Sequence, residues 1–186
     1  MFKNAPPGWT IKSVKHIYSN DLIKLFEDTL DLDGEEKIYT RAIRRKYSTI
    51  VPFTSNNEII IIRSYRHLVD SIQVEAPSGY IEDDETPCQA AKRELEEETG
   101  YTAKKLVAMG YYTPDYTMFE QKGNLFVAYD LSNDGKKQSL GKMERIETDI
   151  ITINEIKQLL SEGKILNAAS IVAFYKALDF HKRYII

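Results

Sequence analysis

Residues Gly79–Tyr101 read GYIEDDETPCQAAKRELEEETGY, and local chemistry alone predicts one helix here with defined ends. Thr86 is a good N-cap, Pro87 suits the first helical position, and Gln89 stands three residues after the cap, as a capping box requires. Gly100 is placed for a left-handed C-cap. On such a helix Glu94 lies one turn from Glu97 and Glu98, so the three carboxylates share a face. Ala91 and Leu95 fall on another side and can anchor the helix to a core. Like charges at this spacing repel by about 0.2–0.5 kcal/mol per pair even when exposed, and the macrodipole disfavours anions in the C-terminal half. Asp83, Asp84 and Glu85 add negative charge just upstream. A hard divalent cation would relieve this crowding, and oxygen-only ligands suit Mg2+ or Mn2+ better than zinc. The competing reading of the glutamates alone is a solvated acidic helix face.

Outward from this helix the pattern is mostly strand. Upstream, Trp9–Tyr18 and Leu22–Leu32 have extended character, Asp33-Gly34 is a hairpin turn, and Glu36–Tyr47 reads as the returning strand. Ser48–Phe53 and Ile59–Tyr65 follow across an Ser55-Asn56-Asn57 turn; the unbroken apolar run of the latter marks a buried central strand. Downstream come strands at Lys105–Tyr112, Asn124–Leu131 and Ile146–Ile153. A short helix capped by Asn154 and ending at Gly163 follows, then a last amphipathic helix, Ala168–Phe180. The fold class is therefore α/β in the mixed α+β sense, a mixed sheet between helices with extra N-terminal antiparallel strands.

Bulk properties narrow the function. The chain has 186 residues, 42% hydrophobic and 28% charged, enough to bury a core, and a net charge of −3. That charge argues against nucleic acid as the main partner. Cys88 is the single cysteine, so no intrachain disulfide forms, which fits a reducing compartment. Met1–Thr10 holds two prolines and no apolar stretch, unlike a signal peptide. The apolar run Ile59–Ile62 is far shorter than a membrane span, and no apolar run exceeds five residues. The expectation is a soluble cytoplasmic protein. His16, His67 and His181 make no metal-ligand pattern, and dinucleotide, P-loop and serine-hydrolase motifs are absent from the sequence.

The spacing in the opening stretch adds one more layer. Five residues separate Gly79 from Glu85, seven separate Glu85 from Arg93, and Glu94, Leu95, Glu97, Glu98, Gly100 and Tyr101 follow in register. This resembles the complete Nudix box, and the resemblance favours a metal site over a solvated face. It implies that Glu94 and Glu98 are the principal metal ligands, with Glu97 either a third ligand or a helper of the attacking water. It gives Glu85 a less direct part in binding a further metal. Arg93 resembles the box arginine that orients a glutamate, Gly79 the glycine of a tight loop, and the carbonyl of Ser78 an additional ligand.

Two further segments are similar to the ADP-ribose and nucleoside-diphosphate-sugar pyrophosphatase branch of that family: Arg63-Ser64-Tyr65-Arg66 and Glu75-Ala76-Pro77-Ser78-Gly79. The resemblance runs from about Trp9 onward and implies substrate contacts at Arg66, Arg63, Gly79 and Glu75, with Arg66 a bidentate phosphate clamp. It also implies a homodimer built through an N-terminal strand arm, residues 1–47, ahead of a hydrolase domain, residues 48–186. Glu120, in the loop Thr113–Lys122, resembles a mobile general base. Pro114 stands only thirteen residues past Tyr101, closer than the proline of ADP-ribose hydrolases, which weakens that particular substrate. Trp9, Tyr18, Tyr39, Tyr112, Tyr116 and Phe119 could stack on a base, although core packing is the expectation for each. The basic run Arg41, Arg44, Arg45, Lys46 reads as a solvated strand edge.

The resulting expectation is Mg2+- or Mn2+-dependent hydrolysis of the diphosphate bond of ADP-ribose or a related nucleoside diphosphate sugar. The rivals are another small-molecule substrate (a dinucleoside polyphosphate, coenzyme A or a nucleoside triphosphate) and a non-catalytic sensor of ADP-ribose-like ligands.

Overall fold

A computed structural model describes residues 4–141 and 145–184; the first three residues of the Met1–Thr10 segment lie outside that set. In chain order the elements are β1 (Trp9–Ser19), β2 (Ile23–Leu32), β3 (Glu35–Arg44), β4 (Tyr47–Pro52), β5 (Glu58–Arg66), β6 (Ser71–Glu75), β7 (Ser78–Tyr80), α1 (Pro87–Thr99), β8 (Thr102–Tyr112), β9 (Phe119–Glu120), β10 (Gly123–Ser132), β11 (Ile146–Thr152), α2 (Ile153–Ser161) and α3 (Ala168–Tyr184). They form two compact units, Met1–Arg45 with Thr113–Lys122, and Lys46–Tyr112 with Gly123–Ile186.

The first unit is a four-stranded sheet in the order β1-β2-β3-β9. Asp33 and Gly34 take positive φ, 55° and 93°, in the two-residue turn between β2 and β3, and Asp31 Oδ1 accepts the Gly34 N–H at 2.7 Å. This is the expected Asp-Gly hairpin. The strand read as Glu36–Tyr47 ends at Arg44, and Tyr47 already belongs to β4. The stretch Thr113–Lys122 is not a free loop: Phe119 and Glu120 pair with Ala42 and Ile43 of β3, and the Ala42 N–H donates to the Met118 carbonyl. Nor is the basic run simply a solvated edge. Arg41 bonds the buried Asp28 at 2.7 Å and lies 4.7 Å from the Phe26 ring centre. Trp9, Tyr18, Tyr39 and Tyr116 are exposed rather than core residues, because this unit is a single sheet with no second layer of its own among the described residues to cover its apolar side chains.

The second unit packs a sheet ordered β7-β4-β10-β8, in which β10 runs parallel to β4 and antiparallel to β8. Alternation sorts its central side chains onto two faces. Ile50, Phe126 and Ala128 meet Ala91 and Leu95 of α1. Val51, Leu125 and Val127 meet Ala173, Phe174 and Ala177 of α3. Helices thus cover both faces, as expected of this mixed fold. A second sheet, β11-β5-β6, carries Ile59 to Ile62, all fully buried. The helix α2 is capped by Thr152, whose capping box with Glu155 takes the role expected of Asn154; the pattern Thr-x-x-Glu was legible, and it outcompetes an asparagine two residues later. No helix of the described residues is long and apolar enough to cross a membrane.

Candidate active site

Helix α1 has both predicted ends. Thr86 forms the capping box with Gln89, Pro87 opens the helix, and Gly100 closes it at φ 73°. Its inner side is fixed by the buried Ala91 and Leu95, with Cys88 packed beside them. The Ser48 hydroxyl of β4 donates to the Pro87 carbonyl at 2.8 Å, tying the start of α1 to the sheet. These anchors turn the acidic face toward β7, which pairs with β4 so that Gly79 stands opposite Ser48 and Ser78 opposite Thr49.

Two of the acids meet consecutive residues of β7. The Ser78 N–H donates to Glu98 Oε2 at 2.8 Å. The Glu94 carboxylate lies so close to Gly79 that a Cβ there would stand 1.9 Å from Oε1. The resemblance implies a tight loop at Gly79. That residue sits instead within a strand, and the physical requirement is the missing side chain, since any Cβ would displace Glu94.

Arg93 organises the remaining carboxylates. Its Nε and Nη2 donate to Glu85 at 2.7 and 2.9 Å. Nη1 donates to Glu94 at 2.7 Å and Glu97 at 2.9 Å, and Nη2 also reaches the Tyr80 carbonyl at 2.9 Å. The guanidinium holds the Glu85 carboxyl below the usual carboxylate range, and Glu85 in turn drives the arginine further from deprotonation, with Glu94 and Glu97 adding to it. Glu98 is buried, Glu94 and Glu85 are largely covered, and Glu97 is 40% exposed.

The C-terminal carbonyls of α1 are also satisfied. Gln138 Nε2 donates to the Glu98 carbonyl at 2.5 Å, the Thr148 hydroxyl donates to it at 3.1 Å, and the Ser139 N–H donates to that of Glu97 at 2.8 Å. These donors offset the negative end of the dipole where Glu97 and Glu98 sit. Sequence reading missed Gln138, Thr148 and Tyr80, because no local pattern ties them to the helix.

The substrate-contact candidates pair among themselves or nearby. Arg66 grips Glu75 in bidentate fashion at 2.8 and 2.6 Å, with Glu75 buried. Arg63 bonds Asp149 at 2.9 Å. Glu120 is exposed and belongs to β9, in the other compact unit.

A family model described as the NUDIX domain matches residues 44–168. The chain belongs to the Nudix family. Over 165 residues it is 27% identical to the "Methanol dehydrogenase activator" of Bacillus methanolicus, spanning 88% of this chain and 89% of that protein. It is also 27% identical to the "ADP-ribose pyrophosphatase" of Bacillus subtilis over 160 residues, 86% of each chain. A solved ADP compounds hydrolase matches the fold with a TM-score of 0.85 and 23% identity, covering 97% of both chains. The protein is a Nudix hydrolase related to ADP-ribose and ADP-compound pyrophosphatases.

Nudix hydrolases generally use a divalent metal. Among the described residues no three acids already stand as a ligand group; Arg93 supplies the positive charge shared by Glu85, Glu94 and Glu97. The donor set nonetheless fits a hard cation. Its side chains are carboxylates, and Glu94 and Glu98 both converge on Ser78–Gly79, where the absent Cβ leaves room for Glu94.

Proposed function

We propose that this Nudix hydrolase cleaves the diphosphate bond of ADP-ribose or a related nucleoside diphosphate sugar with Mg2+ or Mn2+, giving a nucleoside monophosphate and a sugar phosphate. The observation that carries this reading is the convergence of Glu94 and Glu98 of the Nudix box on Ser78–Gly79, together with the ADP-ribose pyrophosphatase among its relatives. Glu94 and Glu98 would be the principal ligands, joined by Glu97, Glu85 and Ser78. Bound there, the cation would neutralise the diphosphate, acidify a water and stabilise the leaving oxygen.

Arg93 keeps Glu85, Glu94 and Glu97 in fixed orientations. Arg66 holds a phosphate, with the buried Glu75 orienting its guanidinium, and Arg63 is a further substrate contact. Water attacks one phosphorus as the bond to the bridging oxygen breaks, and its proton passes to a carboxylate. Glu97 is the acceptor on the box helix, and Glu120 is the rival carried by β9.

The protein acts as a homodimer in this reading, supported by the exposed apolar residues of β1 and β3: Trp9, Val14, Tyr18 and Ile38. We place it in the cytoplasm, in keeping with its single thiol, Cys88.

A panel of nucleoside diphosphate sugars, dinucleoside polyphosphates, coenzyme A and nucleoside triphosphates tests the assignment. Phosphate is read after adding a phosphatase, with Mg2+ and with chelator. ADP-ribose-like compounds should lead and chelator should abolish turnover. A chelator-insensitive activity, or a preference for triphosphates, would overturn it.

A further inference from the structure

Between β6 and β7 the chain changes sheets. Glu75 pairs with Ile62 of β5, whereas Ser78 pairs with Thr49 of β4. Ala76 and Pro77 belong to neither ladder. Pro77 has no N–H to satisfy, and its carbonyl accepts the Ile50 N–H at 2.9 Å. Ala76 does have an N–H and is fully buried, so the crossing creates an amide that neither sheet can accept. A buried amide of this kind needs a partner. Its acceptor is the hydroxyl of Ser170 on α3, at 3.0 Å and 94 residues further along the chain. Ser170 is itself 1% exposed, and its own N–H points to Asn167 Oδ1 at 3.3 Å, which seats it in the first turn of the helix.

The residues flanking Ala76 are the ones the box leans on. Glu75 carries Arg66, the Ser78 N–H receives Glu98, and Gly79 lies against the Glu94 carboxylate. Successive residues from 75 to 79 are thus held by separate contacts, and the one at Ala76 comes from beyond residue 168, where the family match ends. We infer that Ser170 is a positioning residue of the diphosphatase site, setting the sheet crossing and through it the placement of Ser78–Gly79 under Glu94 and Glu98. The inference rests on the proposed function for its catalytic consequence and on the Ala76 hydrogen bond for its physical content.

Ser170→Ala removes the acceptor, and Ser170→Thr keeps a hydroxyl. In the alanine variant kcat should fall about tenfold and the Mn2+ concentration giving half-maximal binding, read by electron paramagnetic resonance without substrate, should rise severalfold. KM for the diphosphate should stay near the wild-type value, and the threonine variant should recover most of the loss. A folded Ser170→Ala protein with unchanged kcat and unchanged Mn2+ binding overturns the proposal. Hydrogen exchange on the wild-type protein decides the matter even if the alanine variant does not fold. The Ala76 amide should exchange as slowly as the core amides of β5, and rapid exchange at Ala76 alone would overturn it. Should wild-type protein show no metal-dependent hydrolysis at all, the functional proposal fails, while the exchange measurement still judges the Ser170 contact.

Discussion

The strand β5 and the strand β1 are both long and rich in β-branched residues, yet they end in opposite environments. Ile59, Ile60, Ile61 and Ile62 of β5 are fully buried, while all eleven residues of β1 are exposed. In the unit containing β5, helices and a neighbouring sheet supply apolar surface to both sides. In the unit containing β1, the buried positions among the described residues are Asp28, Ala42 and Gln121, and two of these three are polar. Strand propensity is therefore satisfied equally in both, but only one has a covering layer that converts apolar residues into a core. The N-terminal sheet is held by its backbone ladders, a hairpin turn and the Arg41–Asp28 pair, and it leaves apolar side chains exposed.

The largest expected effect lies at the box. Glu98→Gln keeps an oxygen to accept the Ser78 N–H but loses the charge proposed to hold metal, an expected cost of several kcal/mol or more than about a hundredfold in turnover. Melting temperature should hold. Near-normal steady-state turnover would remove Glu98 from the metal site.

The next measurement asks which unit supplies the base. Glu97→Gln and Glu120→Gln are compared by kcat at saturating Mg2+, and the true base should lose about a hundredfold or more. Substrate affinity should change little in either. If Glu120→Gln stays within about threefold of wild type, the N-terminal unit contributes no base and Glu97 holds the role.

Core contrast comes third. Leu95→Ala, in the packing between α1 and the sheet, should destabilise by about 2–5 kcal/mol in denaturant unfolding. Ile38→Ala on β3 should cost no more than about 0.5 kcal/mol, as surface changes usually do, when measured in a monomeric background. Equal costs would erase the distinction between the two units.

A fourth test supplies that background. Val14→Asp places a charge on the exposed face of β1. Light scattering should then report the 21.4 kDa single chain, while the wild type scatters as about twice that mass. A wild-type monomer at working concentration would leave the exposed face without its proposed partner.

The smallest effect concerns His181, buried against Phe53 at a ring separation of 3.9 Å and 3.2 Å from the Tyr129 hydroxyl. Burial holds its pKa below the ordinary imidazole value. The folded state therefore resists a proton that the unfolded chain accepts. Its contribution is fully present above the unfolded value of 6.5 and is lost as pH falls from there through the folded pKa. His181→Phe should flatten this part of the urea-unfolding pH profile; an unchanged slope below pH 6.5 would assign the dependence elsewhere.

Legibility in the sequence followed distance along the chain. The capping of α1, its buried pair Ala91 and Leu95 and the Asp33-Gly34 turn all depend on residues within a few positions of each other, and all were readable. The short strands β6, β7 and β9 were not read as strands. Each is five residues or fewer, too short for a period-two pattern, and exists because a distant strand offers hydrogen bonds. The Arg41–Asp28 pair joins positions that face each other only after β2 and β3 are in register.

By itself the sequence determined the box helix, its ends, the face on which Glu94, Glu97 and Glu98 stand, and the family to which the chain belongs, because helix geometry and motif spacing are local. Only the tertiary structure decided why residue 79 must lack a side chain, which carboxylates Arg93 gathers, that Arg66 is oriented by a buried Glu75, and that Ala76 finds its acceptor 94 residues away on α3. Those contacts arise where separate strands and helices close on one another. Buried polar groups must then be matched one by one, and no spacing along a single element encodes which distant residue will do it.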